Sequence, residues 1–225
     1  MPPTLTEPAA PVDAPAKPRL RGWLHLGATP VFLIAGLVLM VIAPTFALRA
    51  ATAVYVLTAM ILFGTSAAYH RGTWSPRTLA LFRRADHANI FGFIAGTYTP
   101  LAVALLTGTS RVVLLTLVWA VALAGMAMRI LWLGAPRWLY TVLYVLTGWL
   151  ALFWLPAFWV SGGAAVVILL VIGGLVYSVG AVAYATKRPN PIPGWFGFHE
   201  VFHLCTILAA GTQFAAILIA VLVPR

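Results

Sequence analysis

The chain has 225 residues, 62% of them hydrophobic and only 8% charged, with a mean hydropathy of +0.99. Soluble domains carry about 25% charged residues, so this composition excludes a soluble globular domain and points to a polytopic helical membrane protein. The net charge of +10 would suggest nucleic-acid binding in a soluble chain; here Lys and Arg lie between apolar runs, as basic flanks of membrane spans, and no nucleic-acid partner is expected.

Residues 1–20 carry Pro2, Pro3, Pro8, Pro11, Pro15 and Pro18 and few large apolar side chains. Such a stretch cannot bury a core and reads as a disordered tail. The first apolar run starts near Leu26 and is preceded by no A-x-A-type cleavage site, so no secretory signal peptide is expected. Residues 21–225 then form one membrane domain. Its candidate spans are 24–43, 48–70, 86–106, 111–133, 138–158, 163–185 and 197–223, each long enough to cross roughly 30 Å of hydrocarbon. The expected fold is all-α, a bundle of seven transmembrane helices. The breaks fall at Pro44, Gly72 to Pro76, Gly108, Gly134 to Pro136, Gly162-Gly163 and Pro189 to Gly194, which are ordinary turn signals.

Basic residues set the orientation. Lys17, Arg19, Arg21, Arg71, Arg77, Arg83, Arg84, Arg129, Arg137, Lys187 and Arg188 fall on one side, and Arg49, Arg111 and Arg225 on the other. The positive-inside rule places the amino terminus in the cytoplasm and, with seven spans, the carboxyl terminus outside. Small residues within the spans (Gly92 and Gly96, Gly173, Gly174 and Gly180) suit close helix packing. The lone Cys205 excludes an internal disulfide framework.

Polar groups in the body are few. Of four acidic residues, Glu7 and Asp13 lie in the tail, leaving Asp86 and Glu200. Ionisable groups in spans are costly and tend to face the interior or a cavity. Asp86 opens span three, His70 ends span two with Ser66 one turn before it, and span seven begins His199-Glu200-Val201-Phe202-His203. With the amino terminus inside, all of these converge on one membrane depth at the cytoplasmic face. Histidines at i and i+4 share one helical face, a workable spacing for two ligands of one ion.

Three neutral imidazoles suit zinc, which in catalytic sites takes three protein ligands and keeps one position open. His70, His199 and His203 are the candidate ligands. Asp86 is the candidate general base, hydrogen-bonded to a water made more acidic by the metal. Ser66 could donate to an oxyanion or orient that water. Glu200 is the rival base, or a group supporting a ligand histidine. Asp86 could alternatively pair with Arg83 or Arg84. His25, near Trp23, reads as a plain interfacial histidine. His87 points about 100° away from Asp86 around a helix, which makes it a poor candidate ligand. Cys205 lies on roughly the opposite face from His203.

Three elements together resemble the haemolysin III family of bacterial membrane proteins. They are Ser66-Ala-Ala-Tyr-His70, Asp86-His87-Ala-Asn-Ile90 followed by Gly96-Thr-Tyr-Thr-Pro100, and His199-Glu-Val-Phe-His203. The resemblance spans residues 20–223. That family is related to the progestin and adipoQ receptors, in a superfamily of membrane metal-dependent hydrolases that includes alkaline ceramidases. The resemblance implies a seven-helix bundle in the bacterial plasma (inner) membrane, with zinc held by His70, His199 and His203. It implies Asp86 and Ser66 as polar partners, and favours Asp86 over Glu200 beside the water. The expected activity is zinc-dependent hydrolysis of an amide or ester in a membrane lipid. The alternative is a receptor-like or regulatory protein of membrane homeostasis with a structural zinc. A pore-forming haemolysin ranks behind both, because the body offers no stripe of charge to line a channel.

Overall fold

The computed structural model describes residues 18–132 and 134–222, and most of the Pro-rich tail lies outside them. The described residues form helices α1 (Trp23–Ile42), α2 (Phe46–Arg71), α3 (Pro76–Leu105), α4 (Gly108–Leu131), α5 (Arg137–Gly148), α6 (Leu155–Thr186) and α7 (Phe198–Leu222). A 3-10 segment, Trp149–Trp154, joins α5 to α6. Local chemistry sets the starts of α2 and α3. The Thr45 hydroxyl accepts from the Leu48 amide at 3.2 Å. The Ser75 hydroxyl accepts from the Thr78 amide at 3.3 Å, and Pro76 follows at the first helical position. Both are ordinary N-terminal caps.

Six helical stretches, rather than the seven expected, are long and apolar enough to cross a membrane. The difference lies in Arg137–Thr186, a stretch of 50 residues that merges α5, the 3-10 segment and α6. Its helical run is interrupted at Gly163, with φ 79° and ψ 176°, a region essentially reserved for glycine. The chain doubles back there. Arg137 Nη1 donates to Tyr184 O at 3.2 Å and Trp149 Nε1 donates to Ser178 Oγ at 3.0 Å, so the two arms pair antiparallel about Gly163. The stretch therefore contains both of the spans expected at 138–158 and 163–185. They are joined by one non-helical glycine instead of a loop.

The bundle is apolar outside as well as inside. Val41, Phe46 and Val160 are 71%, 86% and 86% exposed, as lipid-facing side chains are. The buried polar residues include Ser66, Asp86, Arg129, Glu200 and His203. An outer surface this apolar, over a bundle of long helices, makes the chain a multi-pass membrane protein. The small residues bring helices together as expected: Gly96 faces Thr58 of α2, and Gly180 faces the Cβ of Cys205 on α7. The heaviest packing is α6 on α7, α2 on α3, α1 on α2 and α3 on α4.

At the basic end, the chain before α1 is tied to the connection that precedes α7. The Arg19 amide donates to Gly194 O at 3.0 Å and the Leu20 amide to Trp195 O at 3.2 Å, with the Arg19 guanidinium over the Trp195 ring. Gly22 then turns into α1 at φ 82°, and a Cβ there would lie 2.7 Å from the Cβ of His70. The positive φ and the close approach both require glycine.

Candidate metal centre

His70 sits in the last turn of α2, and His199 and His203 one turn apart at the start of α7. Their ligand nitrogens all lie within 4.8 Å of one another. His70 Nε2 and His199 Nε2 are 3.1 Å apart. Zinc–nitrogen bonds of about 2.0–2.1 Å put tetrahedral ligands about 3.3 Å from each other, so the donor set fits a metal ion in number and chemistry, and the His70–His199 separation fits it in spacing.

Asp86 is 7% exposed, and its Oδ2 lies 3.9 Å from His70 Nε2. This is the ion-pair contact it makes; neither Arg83 nor Arg84 comes within that range of it. Ser66 is buried and faces Asp86, yet its Oγ has no hydrogen-bond partner of ordinary geometry.

Glu200 has a different place. Its Oε2 accepts from the Gly197 amide at 2.9 Å, and its Oε1 accepts from Arg21 Nε. The first bond is the reach from the third helical position back to the cap that helix starts favour. Asn190 Oδ1 accepts from the neighbouring Phe198 amide at 2.9 Å. Both Glu200 oxygens are thus engaged in holding α7 and the chain before α1. Of the two candidate bases, only Asp86 faces the histidine nitrogens with an oxygen that holds no such structural bond.

His25 departs from its sequence reading. It is 3% exposed, and its ring stacks on that of His203 at 3.9 Å with 8° between planes. Phe63 packs edge-on at 5.1 Å. Neither ring nitrogen of His25 has a hydrogen-bond partner. Its depth was predictable from span one, but a lone histidine carries no signal for which way round the helix it points. His87 stays outside the cluster, as expected, and contacts Arg129 and Tyr184 instead. Cys205 packs against Gly180 rather than toward the histidines.

The centre opens onto a cavity that begins at Ser66, Asp86, His199 and His203 and continues past Phe93, Leu101, Leu155 and Leu170. From Asp86 to Leu101 along α3 is about 22 Å at 1.5 Å per residue. The arrangement is a polar head with three imidazoles and a carboxylate, and a long apolar body within the bundle.

Comparison with known proteins agrees with this reading of the chain. The family described as "Haemolysin-III related" matches residues 14–214. The "Hemolysin-3 homolog" of Bacillus subtilis (strain 168) is 31% identical over 159 residues, covering 71% of each chain. The "Hemolysin-3" of Bacillus cereus is 30% identical over 147 residues, covering 65% of this chain and 64% of that protein.

Proposed function

The chain belongs to the haemolysin-III-related family, and from its site we propose that it is a zinc-dependent hydrolase of the plasma membrane acting on an amide or ester bond of a membrane lipid. The observation that carries this is the cluster of three imidazoles at the mouth of a long apolar cavity, with Asp86 beside it. His70, His199 and His203 would hold the metal, which when bound supplies Lewis acidity and a water more acidic than bulk. Asp86 takes the proton of the attacking water and returns it to the leaving amine or alcohol, as a buried carboxylate within reach of both can. Ser66 Oγ, which faces Asp86, donates its proton to the acyl oxygen as negative charge develops there. The apolar cavity takes the acyl chain and keeps bulk water from the reacting carbonyl. Glu200 holds the start of α7, and so the spacing of His199 and His203.

A second reading is supported by where the ligands come from. A metal on His70, His199 and His203 would bridge α2 to α7, so it would also brace the bundle, as a structural zinc in a regulatory membrane protein would. Elemental analysis of the detergent-purified protein, followed by lipid-hydrolysis assays, separates the two. The hydrolase reading expects about one zinc per chain, lost in His70→Ala and His199→Ala but kept in Asp86→Ala, with turnover gone in all three. Full turnover in Asp86→Ala would overturn it, and folded protein purified without chelator and free of metal would overturn both.

A further inference from the structure

His87 follows Asp86 in sequence but faces the other way, into a polar network between α3, α4, α5 and α6. Arg129, 2% exposed, donates from Nη2 to His87 Nδ1 at 3.0 Å. Its guanidinium lies over the Tyr140 ring at 4.1 Å, and its Nε and Nη1 have no hydrogen-bond partner. On the other side of the imidazole, His87 Nε2 lies 3.3 Å from the Tyr184 hydroxyl. Tyr144 donates to the His87 carbonyl at 2.8 Å and holds its backbone.

The direction of these bonds follows from chemistry. A guanidinium only donates and stays protonated. His87 Nδ1 must therefore accept, which leaves the proton of the neutral ring on Nε2. That proton is donated to Tyr184 Oη. A hydroxyl that accepts still has its own proton to give. The other contact of this hydroxyl is Tyr140 Oη at 3.4 Å, the long limit of a hydrogen bond. Tyr184 lines the same cavity as Asp86, His199 and His203, with its ring 5.8 Å from that of His199.

We propose that His87 is a positioning residue: locked by Arg129 with its proton on Nε2, it turns the Tyr184 hydroxyl into a donor aimed at the acyl oxygen of the bound lipid. The ligand half of this rests on the acyl-lipid reading above; the hydrogen-bond relay does not. The unpaired N–H groups of Arg129 then have a reason to be tolerated, because only a residue that can never accept sets the tautomer.

The two halves are tested separately. Histidine-selective 15N labelling of the detergent-solubilised full chain distinguishes the tautomers by long-range proton–nitrogen correlation, with His87→Gln assigning the signal. Wild type is expected to show His87 protonated on Nε2 alone, and Arg129→Met to show a mixture. A wild-type ring protonated on Nδ1, or on both nitrogens, overturns the relay whatever Arg129→Met shows. The second arm measures binding of octadecanoic acid. Tyr184→Phe and His87→Leu are each expected to weaken it about tenfold, the double variant no further, and His87→Gln, which keeps a donor near Nε2, hardly at all. An additive double variant, of about a hundredfold, or wild-type binding in His87→Leu, overturns the positioning role. No binding to wild type overturns the acyl-ligand reading and the donor role with it, while the tautomer measurement still decides the relay.

Discussion

Arg21 and Glu200, 179 positions apart, form an ion pair in which the glutamate is 1% exposed and its second oxygen caps the first turn of α7. The pair fastens the chain before α1 to the helix that carries two of the three clustered histidines. Glu200→Gln keeps an acceptor for the Gly197 amide but loses the charge that faces Arg21. The expected cost is ~1.5–3 kcal/mol, the worth of a hydrogen bond to a charged group. Thermal unfolding followed by tryptophan fluorescence should show a lower midpoint, whereas Asp86→Asn should melt close to wild type. Equal midpoints for Glu200→Gln and wild type would remove the structural role.

The stacked pair His25 and His203, with ring centroids 3.9 Å apart, makes a second prediction. His25→Ala takes away the face against which His203, one of the proposed ligands, rests. Hydrogen-bonded supporting groups change metal affinity by roughly 10–100-fold; for a stacking support, competition with a chromophoric chelator should show weaker binding by about tenfold, the low end of that range. His25→Phe restores the flat partner and should restore affinity. If both variants bind as wild type does, His25 has no part in positioning His203.

Gly163 lies at φ 79° and ψ 176°, where any side chain is strained. Gly163→Ala should cost about 1–3 kcal/mol, although nothing lies within 4 Å of the added Cβ. The loss comes from the backbone alone. Gly27→Ala, also with nothing within 4 Å but inside α1, is the control and should be neutral or slightly stabilising. Identical melting curves for the two variants would show that the reversal between the arms does not depend on glycine.

If the three imidazoles hold the proposed metal, its removal should loosen one end of the bundle and not the other. His70 and the pair His199 and His203 belong to α2 and α7, so a strong chelator should raise hydrogen exchange over residues 66–72 and 197–204. Exchange in the core of α3 around Ala95 and Ala102, both fully buried, should hold steady. Adding zinc back should reverse the effect. Uniform exchange with and without chelator would mean that the imidazoles hold no metal that matters to the fold.

Hydropathy and the positions of Lys and Arg determined the membrane class, the positions of the spans, the basic end and the depth of each polar residue. That was enough to bring Ser66, His70, Asp86, His199 and His203 to one level, because a span's length fixes depth at 1.5 Å per residue. Rotation about each helix axis is another matter. It depends on which neighbours a helix packs against, and the apolar residues run all the way round these spans, so no amphipathic stripe marks the inner face. Only tertiary packing decided that His25 turns inward to stack on His203, that His87 turns away to Arg129, and that Glu200 reaches Arg21 and Gly197. The same holds for the fold-back at Gly163. The Gly162-Gly163 pair announced a break between two spans, but whether it was a loop or a single non-helical residue was settled by the contacts between the two arms, which lie far from it in sequence.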